Sequence, residues 1–253
     1  MFSDGDFMRY SRQLLLEEFG PEGQRKLQAA SVLIIGLGGL GSPAALYLAA
    51  AGVGTLLLAD DDKVHISNLQ RQILFRSRET GLSKAQVAKA QLQALNPQVG
   101  FIVLEERMDD SNLQEAVAMA DLVLDCSDNM QTRQAINTAC IQRSKPLISA
   151  SAVGFGGQLL VLTPPFSHGC YRCLWPDETE PQRNCRTSGV LGPVVGVMGT
   201  LQALEALKML AGQGSSLAGK LRLFDGRQQT WRTLTLERSA ACPVCGGRDE
   251  HHH

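Results

Sequence analysis

The sequence has no excess of charge of either sign: 24 lysines and arginines stand against 25 aspartates and glutamates, a net −1 over 253 residues. Non-specific nucleic-acid binding draws on a basic surplus that this composition does not hold. Nor is there an apolar run approaching the ~20 residues that a membrane-spanning helix needs. The opening MFSDGDFMRYSRQ is polar and acidic and lacks the pattern of an export signal. Repeats, low-complexity tracts and a linker between independent domains are also missing. The expectation is therefore a cytoplasmic protein with a single extended domain over 1–250, with the final HHH (251–253) read as a purification-tag remnant. Without an export signal, the seven cysteines read first as metal ligands or redox groups rather than disulfides.

What is present is a regular alternation. VLII (32–35) reads as a buried strand running into glycines. Ser42-Pro43 offers an N-cap and a first-turn proline for the helix AALYLAAA, and Gly52 offers its stop. TLLLAD (55–60) follows as a strand. A helix is expected over 83–95, a strand over 101–104, and a helix to 120 from a capping box of Ser111 with Gln114. LVLDC (122–126) is a strand, 129–143 a helix and PLISAS (146–151) a strand. Such alternation predicts a doubly wound, mainly parallel Rossmann-like α/β sheet with right-handed crossovers. After Gly156 the pattern changes: 158–163, 221–226 and 230–237 read as strands extending the sheet, the region 164–186 as loop, and 199–211 as a helix. Two helices near 4–16 and 21–29 precede the first strand and could serve a subunit interface. The chain thus divides into N-terminal helices (1–30), a core (31–155) and an antiparallel extension with a metal site (156–247).

GLGGLG places Gly36, Gly38 and Gly41 as G-x-G-x-x-G between a strand and a helix, the context that makes the motif credible for phosphate binding. Asp60 ends the second strand about twenty residues on, where a carboxylate can accept from ribose hydroxyls. The polar loop HISNLQRQ (65–72) brings Asn68, Arg71 and Gln72, and Lys84 follows at a helix start. Cations converging on a nucleotide suit polyphosphate charge that changes during reaction. In LDCSDN, Asp125, Cys126 and Asp128 lie at the carboxyl end of a strand. Asp128 is a candidate for Mg²⁺, and equally for an ordinary helix N-cap before Asn129.

Cys170-x-x-Cys173 and Cys242-x-x-Cys245 form two hooks that match a closed, four-cysteine structural zinc site clipping the C-terminus to the body; redox chemistry at one hook is the alternative. Cys126 and Cys140 sit in apolar elements and read as inert. Cys185 differs, because RNCRTSG sets it between Arg183 and Arg186 in a polar stretch, and neighbouring cations and exposure favour a reactive thiol.

Together, MRYSRQ, GLGGLG, SNLQRQ, SKAQ, CSDN, both hooks and CPVCGG resemble the HesA/MoeB/ThiF family of adenylating enzymes, in the ubiquitin-activating superfamily, over about residues 4–247. CYRCLWPD, NCRTSGV and GPVVGVMGTLQALEALK are most similar to its ThiF branch. The resemblance implies a partner: a ubiquitin-like sulfur carrier, ThiS, whose terminal glycine carboxylate attacks the α-phosphate of ATP. It implies that Gly39 and Asp60 contact ATP and that Ser67, Asn68, Leu69, Gln70 and Arg71 line the phosphates. Lys84 would stand beside them, with Asp128 on Mg²⁺ and Asn129 next to it. Arg12 would reach the other subunit of a homodimer. Cys185 would form an acyl-persulfide with the carrier, using sulfur from a donor protein, in thiamine biosynthesis. The rival carrier is that of molybdopterin synthase (MoaD). An NAD-dependent oxidoreductase would leave Arg71, Lys84 and the hooks without a purpose, and a non-catalytic scaffold would leave the nucleotide-facing set idle.

Overall fold

The computed structural model describes residues 2–247; residues 251–253, expected to be a tag remnant, and 248–250 of the expected domain lie outside the described residues. In chain order, α1 (Asp4–Leu14) and α2 (Gly20–Ala29) lead into β1 (Ser31–Ile35), α3 (Gly41–Ala51), β2 (Thr55–Ala59), α4 (Lys84–Leu95) and β3 (Gly100–Leu104). Then come α5 (Leu113–Ala118), β4 (Leu122–Asp125), α6 (Met130–Gln142), β5 (Leu147–Val153) and β6 (Gly156–Leu162). The short α7 (Tyr171–Leu174) and α8 (Cys185–Ser188), the long α9 (Gly192–Leu210), β7 (Lys220–Asp225) and β8 (Thr230–Thr235) complete the order.

The strands form one sheet in the order β3-β2-β1-β4-β5-β6-β7-β8. Pairing is parallel from β3 to β5 and antiparallel from β5 to β8. β1, β2 and β4 are buried on both faces, as parallel strands covered by helices are, while the edge strand β3 is partly exposed. Val32, Ile34, Leu56, Leu58, Leu122 and Leu124 pack in one core with residues of α3, α4 and α9. Their strand neighbours Leu33, Ile35, Leu57, Ala59 and Val123 pack in the other, with α5, α6 and the cysteine hooks. The register sets Ile35 beside both Ala59 and Asp125, so three strands end at one level. The chain leaves β1 towards β2 and β3 on one side and resumes at β4 on the other. The turn after β1 is therefore a topological switch point, where open α/β sheets leave a ligand crevice.

Several local expectations need correction. Ser42 is not the N-cap of α3: the helix already starts at Gly41, no side chain caps it, and the Ser42 hydroxyl donates to the Leu37 carbonyl at 3.3 Å. The Ser111–Gln114 capping box does not form, because Asp109 accepts from both the N–H and the hydroxyl of Ser111, and α5 begins at Leu113. The region 164–186 is not all loop, since it contains α7 and the start of α8. Finally, α9 starts at Gly192 rather than 199; Pro193 suits its first turn, and the glycines that hid it let the helix approach the Leu40 carbonyl at Gly199.

Candidate active site

The glycine turn follows from what surrounds it. Gly36 has φ +95°, and a Cβ there would lie 2.4 Å from the Cys126 carbonyl oxygen; at Gly41 it would lie 1.9 Å from that of Gly36. Only glycine allows the chain to fold back this closely between β1 and α3. Gly41→Ala is thus expected to cost on the order of 2–3 kcal/mol, lowering the melting temperature by roughly 4–12 °C, and to abolish nucleotide binding. A thermal melt and a binding titration check both.

The loop after β2 returns to this turn. A side chain at Gly39 would touch Arg71, and one at Gly38 would touch Gln72. Within the stretch 67–71, most side chains are occupied locally. The Ser67 hydroxyl is 2.7 Å from His65 Nδ1, and Asn68 Oδ1 accepts from the His65 N–H. Leu69 packs against the core, and Gln70 donates to the Val190 carbonyl. Arg71, half-buried, is the member that carries charge to the glycines, held by the Gln70 Oε1 at 2.6 Å and the Ser67 carbonyl at 3.3 Å. Gln72 is buried with its Oε1 unpartnered. Its place against the turn adds it to the candidate site residues; in the sequence it stands beside Arg71 in the polar loop without a role of its own.

Asp60 bridges the turn to the loop, since its Oδ2 accepts from the Leu37 N–H and its Oδ1 from that of Asp62, both at 2.8 Å. Burial raises its carboxyl above the usual range, while the Leu37 amide and the Lys84 ammonium pull it back. Lys84 is buried, with its Nζ 3.8 Å from an Asp62 carboxylate oxygen. Asp128 follows β4 on the same sheet edge, but it is not the N-cap of α6. Asn129 takes that role, accepting from the Thr132 N–H at 2.8 Å, because its backbone is extended where the helix begins. Asp128 is left half-exposed, 3.3 Å from Arg186. Asp125 is buried and structural: its carboxylate accepts from Ser127 and Ser149 and lies 3.8 Å from Arg133.

Arg12 is not brought to this site within the chain. It lies on α1, whose Tyr10 is hydrogen-bonded to Asn96 and Gln98 before β3, at the opposite, amino-terminal edge of the sheet. A cavity of about 330 Å³ at that edge, lined by Asp6, Tyr10, Gln28 and Gln98 among others, holds none of the candidate nucleotide, thiol or metal residues.

The hooks converge across 72 residues of sequence. Cys170 and Cys242 sulfurs are 3.8 Å apart, those of Cys173 and Cys245 are 3.4 Å apart, and all four lie within 4.8 Å of one another. A tetrahedral ion with metal–sulfur bonds of ~2.3 Å sets its ligands ~3.8 Å apart. These distances fit one shared ion and are too long for disulfides, and the convergence of all four sulfurs favours the metal reading over redox chemistry at one hook. The Ser239 N–H points to the Cys173 sulfur at 3.4 Å, a donor suited to a thiolate ligand. Cys126 and Cys140 are buried, and burial raises both thiols. Cys185 is partly buried and opens a one-turn helix that Asn184 caps, its Oδ1 accepting from the Arg186 and Thr187 N–H groups.

A ThiF family model matches residues 10–244. The sulfur carrier protein ThiS adenylyltransferase of Escherichia coli (strain K12) is 64% identical over 245 residues, 97% of each chain. The molybdopterin-synthase adenylyltransferase of the same organism is 42% identical over 244 residues, 96% of this chain and 98% of that one. A crystal structure of E. coli MccB with ATP aligns with TM-score 0.82 at 26% identity, covering 94% of this chain and 74% of that one.

Proposed function

The chain belongs to the ThiF family, and on that premise we propose that it adenylates the C-terminal glycine carboxylate of the ubiquitin-like sulfur carrier ThiS. It is an adenylyltransferase, with ATP as co-substrate and pyrophosphate as leaving group. The observation that carries this reading is the return of Arg71 and Gln72 to the glycine turn, with Asp60, Lys84 and Asp128 on the same sheet edge. The higher identity to the ThiS enzyme, 64% against 42%, supports ThiS over the molybdopterin-synthase carrier.

The reaction brings two anions together. A carboxylate oxygen of the carrier attacks the α-phosphorus, a bond to that oxygen forms, and the bond to the β-phosphate bridging oxygen breaks. Arg71 and Lys84 supply fixed positive charge where negative charge accumulates, which is how such a step is accelerated. Asp60 accepts from the ribose, and the amides of the glycine turn at the N-terminus of α3 face the phosphates. Bound Mg²⁺, with Asp128 as its protein ligand, would neutralise phosphate charge and polarise the leaving group. Arg12 adds a cation in trans, in a homodimer. The exposed Met8 on the same helix, and Leu15 at its end, give that interface apolar surface.

The four hook cysteines would hold a structural zinc ion, fastening the segment after β8 to α7. In the following step Cys185, carrying a persulfide sulfur from a donor protein, takes the acyl group from the adenylate as AMP leaves. A second thiol then attacks the Cys185 sulfur and forms a disulfide with it, as the carrier thiocarboxylate leaves for thiamine biosynthesis, in the cytoplasm. Cys185→Ser is expected to retain carrier-dependent ATP–pyrophosphate exchange within about twofold while losing thiocarboxylate formation, since adenylation uses no protein nucleophile. Exchange that vanished in the folded variant would refute this division of labour. To identify the carrier, the protein is incubated with ATP and either carrier, and intact masses are read. A mass increase of one AMP on ThiS is expected; adenylation of the molybdopterin-synthase carrier alone would reverse the assignment.

A further inference from the structure

Two contacts bracket Cys185, and both end at the start of α6. Upstream, a Glu180 carboxylate oxygen accepts from the Met130 N–H at 2.5 Å; downstream, the Arg186 guanidinium lies 3.3 Å from Asp128. Glu180 therefore sets negative charge on the first turn of a 13-residue helix, where the helix dipole favours an anion. Arg186 sets positive charge on the carboxylate that, in the reading above, serves the divalent cation. The segment around Cys185 thus holds both places with the signs that a metal–triphosphate would bring. Beyond Cys185 the chain is pinned by its backbone: the Gly154 N–H donates to the Gly189 carbonyl at 2.8 Å, and the Leu191 N–H to that of Gly154 at 3.1 Å. Arg183, on the other side of the thiol, makes no contact with Asp128 among the described residues.

We infer that Arg186 is a positioning residue: it docks the Cys185 turn on Asp128 until a metal-bound nucleotide claims that carboxylate, and its displacement then releases Cys185 for the step after adenylation. The inference rests on the assignment of Asp128 to the metal–nucleotide. Arg186 and Asp128 are 80% and 55% exposed, so the contact is of the weak, solvated kind. Such a pair biases an equilibrium by about two- to fivefold, enough to order the turn and little enough for substrate to break. The order of events follows from the geometry, because the thiol is held while Asp128 lacks its cation and released once substrate is engaged.

The test is the rate at which iodoacetamide alkylates Cys185, read by mass spectrometry of its peptide in the full-length, zinc-loaded protein without carrier. Magnesium with a non-hydrolysable ATP analogue is added, and its binding is verified by calorimetry. In the wild type the rate is expected to rise about two- to fivefold on nucleotide binding. Arg186→Gln is expected to start at the raised rate and to respond little, and Arg183→Gln to keep the wild-type response. The sign is diagnostic: removing a cation near a thiol by itself slows a thiolate reaction, whereas undocking speeds it. If nucleotide binds and the wild-type rate stays constant, or if Arg186→Gln slows alkylation as Arg183→Gln does, docking by Arg186 is wrong and the adenylation reading survives. If calorimetry shows no nucleotide binding, the assignment of the site falls first and the docking role falls with it.

Discussion

Replacing Arg71 with alanine is expected to lower carrier-dependent ATP–pyrophosphate exchange by about a hundredfold or more, with the melting temperature nearly unchanged. Arg71 lies against Gly39, half-buried, and its hydrogen bonds to Gln70 and the Ser67 carbonyl aim it without neutralising it. A cation in a partly desolvated site interacts with developing charge several times more strongly than in bulk water. Single preorganised donors of this kind are worth about 10²–10³ in rate. Arg71→Lys should recover only part of the loss, because an ammonium cannot reproduce the planar fork against phosphate oxygens. Lys84→Ala is expected to show a similar deficit, and the double variant less than the product of the two, since both cations act on one phosphate group. Unchanged exchange in folded Arg71→Ala would remove the main electrostatic element of the mechanism.

The second large effect concerns the hooks. Stripping the metal with a chelator, or replacing Cys242 and Cys245 with serine, is expected to lower the melting temperature by roughly 8–16 °C. That figure follows from a site held about a thousandfold above its dissociation constant, which contributes about 4 kcal/mol, at about 2–4 °C per kcal/mol for a chain of this size. Cys170 and Cys245 are fully buried. Without an ion, four thiols would crowd within 4.8 Å with few hydrogen-bond partners. The hooks pack in only one of the two cores; the other, which joins β1, β2, β4 and β5 to α3, α4 and α9, contains none of them, so the sheet from β1 to β5 should stay folded while the segment after β8 becomes cleavable by protease. Scanning calorimetry with limited proteolysis reads both effects; a metal-free protein that melts as the loaded one does would exclude a structural role.

The alternation of strands and helices was legible because buried parallel strands are short apolar runs and their helices begin and end on strong local signals, such as Ser83 and Gly52. Ser83 does cap α4, accepting from the Gln86 N–H, and Gly52 does end α3 in the left-handed region. Local signals misled where another nearby group took over: the Leu37 carbonyl engaged Ser42, Asp109 engaged Ser111, and Asn129 capped α6 in place of Asp128. The start of α9 was hidden because its glycines serve close packing against the glycine turn and the loop after β2, a need that no local pattern announces. The site was legible residue type by residue type, but the grouping was not. That Gln72 joins Arg71 against the glycines depends on how the loop after β2 folds back. Arg12 lies at the far edge of the sheet, so only its place in a family motif marked it.

Labelled pyrophosphate exchange into ATP, in the presence of a carrier ending in Gly-Gly, tests the account most directly. Exchange should require the carrier, its free terminal carboxylate and a divalent cation, and should collapse in Arg71→Ala. A folded, metal-loaded protein that exchanges nothing with any such carrier, or exchanges equally well without one, would contradict it.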